Sequence, residues 1–221
     1  MNTIEHKFIG DLKKLEQEKK FANRSIVGHN KLLIVGTFNP SACMVCKKNN
    51  AEWFYGRKAN NLWRYIPEAI INKSLKEHKK EDWIKFCNTN KIVIIDLVKA
   101  ARSNQKLNSF SDKDLESLIS RNNSNPIFFD SKQAFNQCKF DYVIFTRKIW
   151  DSKLPMLKKA KEELINNLLQ LESINSIESQ IIYCPAPWGN FKKRAEEWSN
   201  KMRIIQNKFL LASLIVLFLV C

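Results

Sequence analysis

Glycine, proline and histidine are scarce in this chain, at 5, 6 and 3 of 221 residues. No glycines form a Gly-x-Gly-x-x-Gly turn or a Walker lysine loop, and no serine sits in a Gly-x-Ser-x-Gly elbow. The common phosphate-cradling and acyl-transfer motifs are therefore excluded. No internal repeat is present. Acidic residues are in deficit, 22 against 37 lysines and arginines, which leaves a net charge of +15. The 6 cysteines are scattered and only Cys43 and Cys46 lie close together. A zinc or iron–sulfur site would need further ligands from Cys87, Cys138, Cys184 or a histidine, at spacings that match no ligand pattern. Unligated thiols are expected, with no metal, cofactor or disulfide scaffold. The start "MNTIEHKF" is too charged for a secretory signal, so a reducing, cytoplasmic setting is expected. A long apolar run is also missing. "FLLASLIVLFLVC", Phe209 to Cys221, carries no charge, yet as a helix it reaches roughly 20 Å against a hydrocarbon core of roughly 30 Å. A buried terminal helix or strand, an interfacial anchor and an artefact of cloning or frameshift stay open for it.

What is present fits one ordinary domain with a core of its own. The positive excess predicts attraction to polyanions, nucleic acid or an anionic membrane surface. An AT-rich genome, which enriches Lys, Asn and Ile throughout, is the competing source of the same charge. Ile4, Phe8, Leu12, Leu15 and Phe21 recur at near-helical spacing and predict an amphipathic helix before the first strand. Strands and helices then alternate. "KLLIVGTF", "KIVIIDLV", "FDYVIFT" and "QIIYCPAP" read as strands. "NNLWRYIPEAIINKSLKEHKKEDWIKFC", "SDKDLESLISRNN" capped by Ser111, "KLPMLKKAKEELINNLLQLESI" and "NFKKRAEEWSNKMRIIQNK" read as helices. The expected fold is α/β, a three-layer α/β/α sandwich around a central parallel four-stranded sheet. Residues 1–30 form a helical extension, 31–208 the domain and 209–221 an apolar tail. Ligands of such sheets collect beyond the carboxyl ends of the strands. That rule brings together Gly36 to Pro40, Asp96, Thr146 to Trp150, and Cys184 to Asn190.

These loops resemble one family. Gly36-Thr37-Phe38-Asn39-Pro40 after a strand resembles the first motif of the uracil-DNA glycosylase superfamily, a Gly-x-Asn-Pro type loop that supplies the water-positioning residue, here one residue longer. "FYGRKANNLW" looks like the Tyr-Gly-x-x-x-Asn-x-Phe-Trp segment of the hypoxanthine (deoxyinosine) DNA glycosylase branch, matching at Tyr55, Gly56, Asn60 and Trp63. "IIDLVKAARSNQKLNSFSDKDL" resembles that branch's Asp-Val segment, with Asp96 as the shared acid. "YCPAPWGN" occupies the place of its Pro-Ser-x-Ser-Pro-x-Asn loop or of the His-Pro-Ser-Pro loop of uracil enzymes. The order runs from about Lys31 to about Arg203. Arg57 and Lys58 stand where the family often has Asn-Pro, Cys184 where uracil enzymes have histidine, and Ala186 where a serine is usual.

The resemblance implies a uracil-DNA glycosylase-like sandwich that removes a deaminated base, hypoxanthine or uracil, from single- or double-stranded DNA. The implied protein is a monomer with no obligate protein partner. Such chemistry needs a flipped base, a pocket for it and a water on the far face of the sugar. Asn39 orients the water through its two-sided amide, or is a turn asparagine. Phe38 and Tyr55 sandwich the base, or pack in the core. Asn60 serves in catalysis by reading a base edge, or caps the helix starting near Leu62. Asp96 supports the loops structurally, or joins Cys184 in the base-binding set, and as a buried carboxylate it should have a backbone or basic partner. Arg57, Lys58, Pro185, Pro187, Trp188, Asn190, Lys192, Lys193 and Arg194 face DNA. In that set Trp188 acts as a wedge and the basic turn at the start of the last helix holds phosphates. The alternative for Trp188 is inward packing above a solvated turn. With no lysine in the first loop, no Schiff-base lyase step is expected. A catalytically silent nucleic-acid-binding protein of the same fold is the alternative, favoured by Cys184 and Ala186.

Overall fold

The computed structural model describes residues 2–44, 49–103, 106–109, 111–121, 124–147, 154–187 and 192–205. Cys46, Trp150, Trp188, Asn190 and the tail from 209 to 221 lie outside the described residues. In chain order the elements are β1 (Asn2–Glu5), α1 (Ile9–Glu18), β2 (Lys20–Phe21), β3 (Arg24–Ser25) and β4 (Gly28–Gly36). Then come α2 (Leu62–Ile71), α3 (Lys80–Thr89), β5 (Ile92–Asp96), β6 (Val98–Ser103), α4 (Asp112–Ile119) and β7 (Asn125–Phe128). The chain continues with α5 (Ser131–Phe135), β8 (Cys138–Phe145), α6 (Pro155–Gln170), α7 (Ile177–Gln180), β9 (Ile181–Tyr183) and a closing helix, α8, over 192–205.

The central sheet has 4 strands in the order β5-β4-β8-β9, all parallel. Every residue of β5, Ile-Val-Ile-Ile-Asp, is buried, as is the end of β4 from Leu32 to Val35. Successive side chains of a strand point to opposite faces, so burial of all of them means that both faces are covered, as parallel sheets require. The expected architecture, a parallel four-stranded sheet flanked by helices, is the one observed.

Local differences have clear causes. The helix expected from Ile4 to Phe21 is shorter, because β1 pairs antiparallel with β6 and α1 begins only at Ile9. β6 also pairs with β7, and the three strands form a second sheet in the order β1-β6-β7. These strands are short and their partners distant in sequence, so no local alternation announces them. The single helix expected from "NNLW" to "KFC" is two, because Asn72 takes left-handed backbone (φ 53°) and closes α2. Trp63 and Trp83 then stack in parallel across the break, with centroids 5.0 Å apart. Ser111 caps α4 as expected, its hydroxyl accepting the Asp114 amide at 3.2 Å. Glu116 of α4 caps α6, its carboxylate accepting the Met156 and Leu157 amides at 2.7 and 3.0 Å. The first turn of α6 is thereby satisfied by a neighbouring element.

Candidate functional site

From β4 the chain runs to β5 on one side, and from β8 it runs to β9 on the other. Loops that diverge from adjacent strands leave a crevice at the carboxyl edge between them. By that rule the place for a ligand is between Thr37, which follows β4, and Thr146, which follows β8. Gly36 ends β4 and pairs in register with Asp96, the last residue of β5, so the two share a face. A Cβ placed on Gly36 would stand 1.9 Å from Asp96 Oδ1 and 2.0 Å from the Tyr55 hydroxyl. Only glycine lets these two oxygens converge over the strand end.

Each converging group is held from behind. Asp96 is buried, and its Oδ2 lies 2.7 Å from His6 Nε2. The Phe8 amide donates to His6 Nδ1 at 3.0 Å, so the ring proton is on Nε2 and points at the carboxylate. Asp96 thus has the partner that burial demands, though it is a histidine from the start of the chain. Thr146 donates its hydroxyl proton to the Val35 carbonyl at 3.1 Å, which makes Tyr55 the donor in its 2.9 Å bond to Thr146 Oγ1. Burial pushes the Tyr55 phenol well above its ordinary pKa, and the Asp96 charge pushes it further. Tyr55 also holds left-handed backbone, φ 58°, uncommon for an aromatic residue.

Asp112, from the first turn of α4, links the loops after β4 and β8. It accepts the Thr37 hydroxyl at 2.6 Å and pairs with Arg147. Burial raises its carboxyl pKa, and Arg147 and the Thr37 bond offset part of that rise. The carboxyl edge therefore carries two buried acids from different elements, each with its own partner.

Asn39 is buried beneath the same edge. Its carboxamide oxygen accepts Asn49 Nδ2 at 2.5 Å, and its backbone carbonyl accepts the Lys7 amide at 2.7 Å. Asn49 also donates to the Pro40 carbonyl at 2.7 Å, so it clasps the loop after β4. Phe38 packs on the His6 ring with centroids 5.9 Å apart. A hollow beside it, bounded by Pro40, Leu107, Ser111, Asp112 and Leu115, is too tight to admit a water molecule. Tyr55 is not among those walls.

Asn60 accepts the Leu62 amide at 2.9 Å, the bond expected of a cap on α2. Gly56 serves packing: a Cβ there would meet the Trp83 indole at 2.7 Å. The "FYGRKANNLW" segment touches the loop after β9 directly, because the Asn61 amide donates to the Pro187 carbonyl at 2.7 Å. Arg57 is half-buried near Tyr55, and Lys58 is exposed. Cys184 is fully buried, its amide bonded to the Phe145 carbonyl at 2.9 Å, so its thiol belongs to the core. Pro185 accepts the Trp198 indole N–H at 2.9 Å, and Trp198 stacks on Tyr65 of α2. That contact docks α8, whose first turn presents Lys192 and Lys193 to solvent and Arg194 half-buried. Among the described residues no cluster of three or more His, Cys, Asp or Glu side chains is placed to hold a metal ion. No described helix is long and apolar enough to cross a membrane.

The structure thus joins Gly36, Tyr55 and Asp96, and separately joins Asn61 to Pro187. It adds His6, Asn49 and Asp112, which sequence reasoning did not single out, and gives partners to Thr146 and Arg147, which the strand-end rule had placed at this edge without a role. Asp112 carried a weaker signal, as an acid beside the Ser111 cap.

No protein-family model matches the chain, and no curated protein sequence does. Among solved structures it is similar to a solution NMR structure described as a "putative Uracil DNA glycosylase from Methanosarcina acetivorans". The identity is 19% and the TM-score 0.46, over 80% of this chain and 91% of that one.

Proposed function

We propose that the chain is a monomeric, monofunctional DNA glycosylase that hydrolyses the N-glycosidic bond of a deaminated base, hypoxanthine or uracil, in DNA. Water adds to C1′ of an oxocarbenium-like sugar, the C1′–N bond breaks with its electrons passing to the base, and the base takes up the proton. An abasic site is left. The observation that carries this reading is the convergence of Tyr55 and Asp96 on Gly36 at the carboxyl end of β4. The segments that resemble glycosylase motifs contribute these residues. Asn39 positions the water, with Asn49 fixing its carboxamide by donating to the oxygen. Asp96 reads the base, and the aromatic faces of Phe38 and Tyr55 stack on it once the crevice opens. Lys192, Lys193 and Arg194, at the start of α8, hold phosphates where helix amides point outward.

The test is base release from labelled oligonucleotides carrying deoxyinosine or deoxyuridine, read as strand breaks after alkaline treatment. The parent protein is expected to release at least one base. Asn39→Ala should slow that release by about 10² to 10⁴, the range for a positioned catalytic group. Asn39→Asp should keep part of the activity, because a carboxylate also orients water. A second reading, a silent nucleic-acid-binding protein, is favoured by the tight closure beside Phe38. Failure of well-folded protein to release either base, or xanthine, from single or double strands would decide for it.

A further inference from the structure

We infer that His6 is a positioning residue that holds Asp96 as an accept-only reader of a ring N–H on the target base, which makes the pair a determinant of base specificity. The inference rests on the glycosylase reading above and names what that site selects.

His6 is buried and follows directly on β1. Its backbone is pinned by an amide bond to the Lys99 carbonyl at 2.7 Å and by a bridge to Pro40. The rings of Phe8, Phe38 and Phe54 surround the imidazole at centroid distances of 5.9, 5.9 and 5.6 Å. The Phe8 amide occupies Nδ1, so Nε2 can only donate, and it donates to Asp96 Oδ2. The other oxygen, Oδ1, lies over Gly36 at the carboxyl end of β4, beside the Tyr55 hydroxyl. Among the described residues Oδ1 receives no hydrogen bond, since Tyr55 gives its proton to Thr146.

A carboxylate oxygen accepts and does not donate. Deamination changes the base at the complementary place. N1 of adenine and N3 of cytosine are acceptors, whereas N1 of hypoxanthine and N3 of uracil carry a proton. Oδ1 therefore pairs with the ring N–H of the deaminated base and opposes the lone pair of the parent base. Sites built on a buried hydrogen bond reject the analogue that lacks its partner strongly. The Tyr55 hydroxyl stands beside Oδ1, so it swings aside when the base edge enters while its ring remains to stack on the base.

The experiment is binding of the full chain, by fluorescence anisotropy, to oligonucleotides bearing one 2′-fluoro-arabino nucleotide, which resists glycosidic cleavage. The bases are hypoxanthine, 1-methylhypoxanthine and adenine. The parent protein should bind hypoxanthine at least about tenfold more tightly than the other two, the value of one good hydrogen bond. His6→Leu should collapse that ratio, and His6→Gln, whose amide N–H replaces Nε2–H, should restore much of it. Asp96→Asn should invert the hypoxanthine-to-adenine ratio, because His6 would hold the carboxamide oxygen and leave the NH₂ facing the base. If His6→Leu does not fold, judged by its melting curve, the isosteric Asp96→Asn ratio decides. A parent protein that treats hypoxanthine and 1-methylhypoxanthine alike, or a folded His6→Leu with the parent ratio, would overturn the inference. Discrimination without base release from ordinary deoxyinosine would remove the hydrolytic function and leave the reader. Release without discrimination would do the reverse.

Discussion

Replacing Gly36 with alanine tests the geometry of the site without touching a hydrogen-bonding side chain. The new methyl group would stand 1.9 Å from Asp96 Oδ1, 2.0 Å from the Tyr55 hydroxyl and 3.1 Å from Asp96 Cγ. Neither obstacle is the loose end of a long side chain. Asp96 is tied to His6 at 2.7 Å and Tyr55 to Thr146 at 2.9 Å, so both bonds must be given up together. A neutral hydrogen bond is worth about 1 kcal/mol and one to a charged group about 1.5–3, which puts the loss near 3 kcal/mol. For a domain of this size that is a fall of about 6–12 °C in melting temperature. Gly10→Ala is the matched control. Gly10 lies in α1 and a Cβ there meets nothing within 4 Å. Gly10 is the second residue of α1, where the gain from alanine is smaller than the roughly 0.5–1 kcal/mol of a helix interior, so melting should rise by no more than about 2 °C. Thermal denaturation by circular dichroism measures both, with base release assayed on the same samples. A Gly36→Ala protein that melts within about 2 °C of the parent and retains its activity would refute the convergence of Asp96 and Tyr55 on that strand end.

Alkaline titration should show a lag. The folded Tyr55 phenol keeps its proton above its ordinary pKa, whereas the unfolded chain loses it near pH 10. Folding stability is therefore unaffected by this group below about pH 10 and declines as pH rises beyond it. Tyr65 and Tyr183 shift the same way through burial. Phenolate absorbance should lag that of the unfolded chain, with Tyr55→Phe removing part of the lag; simultaneous titration of all 4 tyrosines near pH 10 in folded protein would contradict this. Changing Lys192, Lys193 and Arg194 to glutamate should weaken DNA binding alike for all sequences and flatten the dependence of log K on log salt. An unchanged salt slope would mean that phosphates are not held at this turn, and a flat salt response of the parent protein would assign the +15 charge to genomic bias.

The sequence by itself determined the central sheet. Continuous apolar runs such as Ile92 to Ile95, separated by helical periodicity, have no other stable arrangement than strands buried on both faces. It also determined where the loops gather, since parallel strands expose all their carboxyl ends at one edge. Cap residues such as Ser111 were legible because their partner lies three residues away. The second sheet was not legible: β1 finds β6 at a separation of roughly a hundred residues, and nothing local in "NTIE" records it. The same distance hid His6, which meets Asp96 only because β1 returns across the molecule to lie beside the loop after β4. Pairing of Asp112 with Thr37 and Arg147, and burial of Cys184, likewise depend on elements from three parts of the chain. Local pattern reports periodicity and capping. The choice of which buried polar atom faces which partner is made by tertiary packing, because a desolvated carboxylate is stable only where the whole fold delivers a donor to it.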